Sequence, residues 1–239
     1  MDAEVLIARG DEQQSTRVPI RRVYNLGSAT RDPEGAMAHQ SEMADAGIPI
    51  ALGVPAPRIY PIAAGSLTTS EEMFAHGPHT SGEVEIVVVE HEGQLYIGVG
   101  SDHTDRDLEQ TSIVWSKQVC PNIVAPCLWS WPEIAGHWDE CQLELDVDGS
   151  AYQRLPVRMF LPPPRLVEVV RERASVPSSG VWVFGGTGPT IGRQLVFGTR
   201  WSFSLVDPRL GRRLEHHYEV TPLLDELQPD YRVPLFRRA

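Results

Sequence analysis

Two neighbouring runs of β-favouring residues place the strongest constraint on the fold of this chain. Residues 83–90 and 94–100 are rich in valine and isoleucine, and His91, Glu92 and Gly93 lie between them. Two such runs joined by a short glycine-containing segment predict a β-hairpin. The middle of the chain is therefore expected to form two adjacent antiparallel strands.

Most of the remaining pattern is also strand-like. Twenty glycines and twenty prolines among 239 residues favour a fold with many turns over a helical bundle. Strands and helices do not alternate along the chain, which argues against a doubly wound parallel sheet and predicts a β-rich α+β fold. The further strands predicted are 5–8, 22–26, 142–147, 181–184, 195–206 and 213–220, and helices are predicted at 36–46, within part of 105–119, and at 164–174.

Length and charge limit the classes of protein to consider. A chain of 239 residues is long enough for one domain or at most two small ones. Acidic residues outnumber basic ones by 32 to 21, and the net charge of -11 disfavours binding to a nucleic acid. No run approaches the roughly 20 apolar residues that span a bilayer, and residues 1–5 lack the pattern of a secretory signal. We expect a cytoplasmic protein that binds neither nucleic acid nor membrane.

A glycine-rich segment, residues 181–192, superficially matches a nucleotide-binding loop. It has a buried-type strand followed by Gly186, Thr187 and Gly188, but Pro189 and the β-rich run beyond it leave no helix whose N-terminus could bind a pyrophosphate. We instead expect this turn to present backbone N–H groups and the Thr187 hydroxyl to a carboxylate.

Three acidic residues of the hairpin are candidates for a metal site. Glu83 and Glu85 lie two positions apart, so a strand would project both side chains from one face, and Asp102 follows the partner strand where the hairpin returns. Neighbouring inward carboxylates repel each other unless a cation or protons compensate. Three carboxylates with room for water suit Mg²⁺ or Mn²⁺. The alternative is a solvated polar face of an amphipathic strand.

Five segments, in this order along the chain, resemble the motifs of the fumarylacetoacetate hydrolase family. His39-Gln-Ser-Glu42 is similar to its His-x-x-Glu dyad, and residues 82–89 (GEVEIVVV) to its Glu-x-Glu strand. Residues 98–109 (GVGSDHTDRDLE) match its Asp-x-Ser-x-Arg-Asp-x-Gln segment in part, and Lys117 and residues 186–189 (GTGP) match a later lysine and glycine turn. The sequence departs from the family at Ser101, where an Asn is usual, and at Glu109, where a Gln contacts substrate.

The resemblance implies a role for each matching position. A lysine of the family's lid is missing, and Arg58 and Tyr60 are its possible substitutes. The implied site residues are Glu83, Glu85 and Asp102 as ligands of one Mg²⁺ or Mn²⁺; His39, Glu42 and Lys117 as catalytic groups; Thr187, Gly186, Arg58, Tyr60 and Glu109 as substrate contacts; and Arg106 and His103 as supports behind the metal ligands.

The resemblance also implies a fold and an activity. The fold would be a mixed, partly rolled β-sheet with an N-terminal lobe at residues 1–65, which includes the dyad helix, and a catalytic β domain at 66–239. The alternative is one continuous domain. The activity would be a metal-dependent hydrolase or lyase that cleaves a C–C bond of a small β-dicarbonyl or 2-oxo acid through a metal-bound enolate, as acylpyruvate hydrolases and oxaloacetate decarboxylases do. Alternatives are a hydratase, dehydratase or isomerase, or a non-catalytic small-molecule binding protein. A homodimer acting on a small carboxylate is expected.

Overall fold

The structure, a computed structural model, describes residues 1–10, 12–32, 34 and 53–233. The helix predicted at 36–46, with His39 and Glu42, lies outside the described residues. The strands are β1 (Asp2–Arg9), β2 (Glu12–Pro19), β3 (Arg22–Gly27), β4 (Arg58–Ile62), β5 (Leu67–Thr68), β6 (Glu72–Ala75), β7 (Thr80–Ser81), β8 (Val84–His91), β9 (Gln94–Asp102), β10 (Thr104–Asp105), β11 (Asn122–Val124), β12 (Cys127–Ser130), β13 (Gln142–Val147), β14 (Ser150–Pro156), β15 (Val181–Phe184), β16 (Arg200–Asp207) and β17 (Arg212–Pro222).

Helices are few and short in the described part of the chain. The longest has eleven residues, begins with two prolines that suit the first turn of a helix, and packs its apolar face against β8. None of the described helices is long and apolar enough to cross a membrane. The α-helices are α1 (Arg106–Glu109), α2 (Ile113–Val119), α3 (Trp131–Ile134) and α4 (Pro163–Arg173), and short 3₁₀ turns occupy Ala64–Ser66, Ala135–Glu140, Val157–Met159, Ile191–Arg193, Leu223–Glu226 and Pro229–Tyr231.

The larger sheet has ten strands and is mixed. Its main path runs β2-β1-β12-β9-β8-β15-β3-β4, while β11 pairs with β9 and β5 pairs with β11. β8 and β9 form the predicted antiparallel hairpin, whereas β1 with β12 and β3 with β15 are parallel pairs. The prediction of a β-rich fold with a mixed sheet is therefore confirmed.

The centre of this sheet is buried on both faces. On β8, Val84, Ile86 and Val88 belong to one apolar cluster, whereas Val87 and Val89 belong to another on the opposite face. This division follows from the alternation of side chains along a strand. Because β8 is covered on both faces, any polar side chain on it must find partners within the protein.

A second sheet of five strands covers one face of the hairpin. Its order is β14-β13-β16-β17-β6, and it packs against β8 and β9. β7 and β10 form a separate two-stranded pair next to the end of β9. The two sheets and this small pair meet at the open end of the hairpin, where the acidic residues lie.

Two predictions about local structure were wrong. Between the strands predicted at 5–8 and 22–26 the polar sequence indicates a loop, but this segment contains β2, which pairs with β1 along its full length. Residues 195–199, predicted as part of a strand, precede β16, and Leu195, Val196 and Phe197 are exposed there. An edge strand needs no apolar alternation, and an exposed apolar run is not distinguishable from a buried strand by sequence pattern alone.

The division at residue 65 stays a prediction. β1, β3 and β4 come from the first 65 residues, and they belong to the same sheet as β8, β9 and β15.

Candidate metal centre

Three carboxylates meet at the open end of the β8–β9 hairpin. Glu83 directly precedes β8, Glu85 lies on it, and Asp102 ends β9. The Asp102 amide donates a 3.0 Å hydrogen bond to the Glu83 carbonyl oxygen. One carboxylate oxygen of each residue lies within 4.8 Å of those of the other two. The predicted convergence of these side chains is confirmed.

The site is shielded from solvent. Asp102 is 0% exposed and Glu85 2%, while the Glu83 side chain keeps 18% of its surface exposed. Asp102 Oδ1 is buried and has no hydrogen-bond partner among the described residues. These facts exclude the alternative of a solvated polar strand face for Glu85 and Asp102.

Two basic side chains face the carboxylates. The Lys117 ammonium group, on α2, contacts Asp102 Oδ2 and lies 3.4 Å from Glu83 Oε2. Arg106 donates 2.8 Å hydrogen bonds from Nη2 to Glu83 and from Nη1 to Glu109. Arg106 thus holds Glu83 from the side, and its role as a support behind the metal ligands stays a prediction. Glu83, Glu85, Asp102 and Glu109 outnumber Arg106 and Lys117, the two basic residues that form these bonds.

The charge imbalance separates the pKa values of the carboxyl groups. Burial would raise the pKa of Glu83, but Arg106 and Lys117 lower it to about 2. Burial and the nearby Asp102 charge raise the pKa of Glu85 well above its ordinary value. Burial also raises the pKa of Asp102, since Lys117 opposes this only in part. Without a further cation the site favours a proton on at least one carboxyl group.

The glycine turn after β15 binds one of these carboxylates. The Gly186 amide donates a 2.8 Å hydrogen bond to Glu85 Oε2. Gly186 has φ of +83°, and a Cβ there would lie 2.7 Å from the Leu26 carbonyl oxygen, so the position requires glycine. The Thr187 hydroxyl donates a 3.0 Å hydrogen bond to the Val84 carbonyl oxygen and accepts one from Gln153. The carboxylate that this turn meets is therefore that of Glu85, and contacts of Gly186 and Thr187 with a substrate stay a prediction.

Tyr60 and Arg58 lie on β4, close to the charged groups. Burial raises the pKa of Tyr60, whose hydroxyl also responds to the charges of Lys117, Arg58, Glu109 and Asp102. Arg58 is buried, with 6% of its surface exposed. A phenol that lies near Lys117 and Arg58 is suited to binding a carboxylate, and contacts of Tyr60 and Arg58 with a substrate stay a prediction.

His103 is buried behind Asp102. Its Nδ1 lies 2.8 Å from the Tyr218 hydroxyl oxygen, and burial together with the Arg106 charge lowers the pKa of His103 to about 3. The imidazole is therefore neutral and serves as a packing and hydrogen-bonding group.

Sequence analysis missed three partners of the site. Gln153 accepts a 2.9 Å hydrogen bond from the Val84 amide, Ser81 accepts a 2.7 Å bond from Arg106 Nε, and Tyr218 contacts Ser101 and His103. Gln153 and Tyr218 are distant in sequence from the residues they contact, so no local motif could have identified them. His39 and Glu42 lie outside the described residues.

The donor set fits a hard divalent cation. All three candidate ligands supply carboxylate oxygens, which Mg²⁺ and Mn²⁺ prefer, and one buried oxygen of Asp102 accepts no hydrogen bond from residues 1–10, 12–32, 34 or 53–233. Nothing in the set favours a soft metal that prefers thiolates.

Comparison with known proteins relates the chain to one protein family and one fold. The family described as "Protein of unknown function (DUF2848)" matches residues 27–218. No curated protein matches the chain.

Several solved structures share the fold over most of their length. A Burkholderia cenocepacia protein, provisionally assigned as a fumarylpyruvate hydrolase, has a TM-score of 0.63 and 20% identity, with 92% of this chain and 90% of that chain covered. A fumarylpyruvate hydrolase from Pseudomonas aeruginosa, in complex with Mn²⁺ and pyruvate, has a TM-score of 0.60 and 19% identity, with coverage of 92% and 97%. A 2-keto-3-deoxy-D-arabinonate dehydratase, complexed with magnesium and 2,5-dioxopentanoate, has a TM-score of 0.60 and 14% identity, with coverage of 89% and 78%.

These structures belong to the fumarylacetoacetate hydrolase family. At such identities the likeness establishes the fold: the chain has the mixed, partly rolled sheet of that family, and the predicted fold is confirmed.

Proposed function

The chain belongs to the DUF2848 family, and from its carboxylate site we propose that it is a divalent-metal-dependent hydrolase or lyase that cleaves a C–C bond of a small β-dicarbonyl or 2-oxo acid. The observation that carries this proposal is the meeting of Glu83, Glu85 and Asp102 within 4.8 Å in a site where Asp102 Oδ1 has no hydrogen-bond partner in the described part of the chain. Buried carboxylates in excess of their cations are stable when a metal ion neutralises them.

In this proposal Glu83, Glu85 and Asp102 hold one Mg²⁺ or Mn²⁺. Arg106 fixes the position of Glu83, and the Gly186 amide fixes that of Glu85. When bound, the ion supplies Lewis-acid polarisation of the substrate's ketone oxygen and offsets the negative charge that develops there.

Lys117 stabilises the same negative charge from the protein side. Its side chain is 11% exposed, and the surrounding carboxylates keep the pKa of its ammonium group above the ordinary value, so it stays protonated. A permanently charged donor in a shielded pocket strengthens its hydrogen bond to a substrate oxygen as that oxygen gains charge. Arg58, Tyr60, Thr187 and Glu109 would orient the rest of a small carboxylate substrate.

His39 and Glu42 are proposed to move the proton. Three positions apart, they would be neighbours on a helix, so that the carboxylate orients the imidazole. The imidazole removes a proton from water, whose oxygen adds to the acyl carbon. The C–C bond then breaks, and its electron pair stays on the carbon next to the ketone, which accepts a proton. In decarboxylation the departing group is CO₂ and no water adds.

A second candidate is dehydration of a 2-oxo-3-deoxy sugar acid. The dehydratase complexed with magnesium has this fold at a TM-score of 0.60. The same carboxylates and Lys117 would serve, but the bond broken would be C–O and the product would be water. Cytoplasmic location and a homodimer complete the proposal as expectations.

The test is a product assay on metal-free protein to which Mn²⁺ or Mg²⁺ is returned. The protein is incubated with an acylpyruvate, with oxaloacetate and with a 2-oxo-3-deoxy sugar acid. We expect pyruvate from the first two substrates only, loss of activity with EDTA, and recovery with Mn²⁺. The same assay is run on Glu85→Gln, which alters a candidate metal ligand. Glu90→Gln is its matched control, because Glu90 lies on the same strand but pairs with Arg171. Activity that survives chelation, or turnover of the sugar acid alone, would contradict the proposal.

A further inference from the structure

The hydroxyl group of Tyr218 contacts both sequence neighbours of Asp102. Tyr218 lies on β17 of the five-stranded sheet and is 0% exposed. Its hydroxyl oxygen is 2.8 Å from Ser101 Oγ and 2.8 Å from His103 Nδ1. One buried group of the second sheet thus holds the chain on either side of a candidate metal ligand.

The direction of these contacts determines where Asp102 points. Ser101 and His103 are two positions apart at the end of β9, so their side chains lie on the same face of the chain and that of Asp102 lies on the opposite face. The Tyr218 hydroxyl holds the first face against the second sheet. Asp102 is thereby directed away from that sheet and toward Glu83 and Glu85.

The same hydroxyl also approaches the chain next to Glu83. A Cβ added to Gly82 would lie 2.7 Å from the Tyr218 hydroxyl oxygen and 2.9 Å from Ser101 Oγ. Such distances leave no room for a side chain, so the backbone before Glu83 rests directly on this polar pair. The segments that carry Asp102 and Glu83 therefore both lie against one hydroxyl group.

The rings around the hydroxyl leave it little freedom to move. His103 packs edge-on against Tyr218 with ring centroids 5.5 Å apart, and against Trp201 at 5.6 Å. Close packing of this kind keeps side chains in single rotamers. A group that is immobile, hydrogen-bonded to both neighbours of Asp102 and packed against Gly82 can hold ligands in place before any ion arrives.

We propose that Tyr218 is a positioning residue for the metal-binding carboxylates, which sets the separation of Asp102 and Glu83 through Ser101, His103 and Gly82. This inference rests on the proposed metal site. Groups that orient metal ligands without touching the metal change affinity about 10- to 100-fold when they are removed. Tyr218 therefore contributes to metal affinity without contacting the ion or the substrate.

The test compares Tyr218→Phe with Tyr96→Phe. Tyr96 is a buried tyrosine on β9, the strand that carries Ser101 and Asp102, and its hydroxyl accepts a 3.2 Å hydrogen bond from Arg9. Its substitution therefore removes a similar hydroxyl group outside the site. Mn²⁺ affinity is measured by the EPR signal of free Mn²⁺, and urea unfolding of both metal-free variants gives their stability. We expect Tyr218→Phe to raise the Kd for Mn²⁺ about tenfold and to alter the EPR spectrum of bound Mn²⁺, while Tyr96→Phe changes neither.

A second variant separates positioning from general destabilisation. Gly82→Ala should weaken Mn²⁺ binding in the wild-type background, and less so in the Tyr218→Phe background, because the hydroxyl that the new methyl group meets is gone. The inference would be overturned if Gly82→Ala reduced Mn²⁺ affinity equally in both backgrounds. It would also be overturned by a Kd for Tyr218→Phe within twofold of the wild-type value. Should Tyr218→Phe fail to fold, Ser101→Ala, which removes one of the two hydrogen bonds, must raise the Kd at least about threefold. Wild-type protein that binds no Mn²⁺ would instead refute the proposed function.

Discussion

Among the residues that the structure describes, Asp102 and Asp207 are both 0% exposed, and their carboxylates differ in how many hydrogen-bond donors they meet. Asp207 accepts hydrogen bonds from His137 at 3.0 Å, from Arg212 at 3.2 Å, and from the amides of Arg209 and Leu210 at 3.1 and 3.2 Å. Burial would raise its pKa, but these donors lower it. Asp102 is equally buried, yet its pKa is raised and its Oδ1 lacks a partner among the described residues.

Burial alone therefore does not mark a functional carboxylate. At Asp207 one carboxylate meets two basic side chains and two amides, so the charge is satisfied and the role is structural. At the metal centre three carboxylates share Lys117 and Arg106, and Arg106 is itself shared with Glu109. An excess of buried negative charge over donors is the feature that indicates a cation site.

The largest effect on a measured free energy is expected at Asp207, whose carboxylate is matched by hydrogen-bond donors. Asp207→Ala would leave His137 and Arg212 without their shared partner in a largely buried position, at a cost of about 3 kcal/mol of unfolding free energy. Mn²⁺ affinity should not change. Urea unfolding measures the loss of unfolding free energy. Asp225→Ala is the control, because Asp225 forms an exposed ion pair with Arg232. A change below about 1 kcal/mol would mean that the donors around Asp207 contribute little.

An intermediate effect is expected from removing the lysine at the metal centre. The Lys117 ammonium group neutralises Asp102 and Glu83, so it competes electrostatically with an incoming dication. Lys117→Met should tighten Mn²⁺ binding about tenfold at pH 8, while it abolishes turnover.

A calorimetric titration with Mn²⁺ tests this prediction for Lys117→Met, and the opposite result has a definite meaning. Weaker Mn²⁺ binding by Lys117→Met, measured by calorimetry, would show that Lys117 organises the carboxylates and does not compete with the ion. Arg171→Met is a suitable control, because Arg171 pairs with Glu90 on the same strand as Glu85.

The smallest effect is a change in the stability of metal-free protein. Because the folded-state pKa of Glu85 is raised, its contribution to stability is complete below the unfolded pKa of about 4.3 and is lost as the pH rises through the folded pKa. Glu85→Gln stays neutral and avoids this loss. The unfolding free energy of the variant should rise by about 1 kcal/mol relative to that of the wild type as the pH increases from 5 to 9 in EDTA. A difference that is constant or falls with pH would contradict the assigned pKa shift.

The hairpin was predictable because its pattern is local. Val84 and Ile86 lie on the same face of β8 and belong to one apolar cluster. The turn at Gly93 follows this strand directly in the sequence. β2 was not predictable, since Glu12–Pro19 is a mostly exposed edge strand and carries no apolar alternation. β4 includes Pro61 and forms the other edge of the sheet, where proline is tolerated.

The acidic residues of the site were predictable for the same reason. Glu83, Glu85 and Asp102 lie on one hairpin, so strand periodicity and one turn bring them together. The residues that position them come from other elements: Gln153 is 69 residues from Val84, and Tyr218 is 117 residues from Ser101. Contacts between two sheets depend on tertiary packing, which no spacing in the sequence records.

The central claim is that Glu83, Glu85 and Asp102 bind one divalent cation. Diffraction from crystals soaked in Mn²⁺, recorded for its anomalous signal, tests it most directly. We predict one strong anomalous peak per chain, between about 2.0 and 2.6 Å from a carboxylate oxygen of each residue, as hard cations require, and no peak at Asp207. A centre without anomalous signal at saturating Mn²⁺, or a peak that contacts only one of the three carboxylates, would contradict the claim.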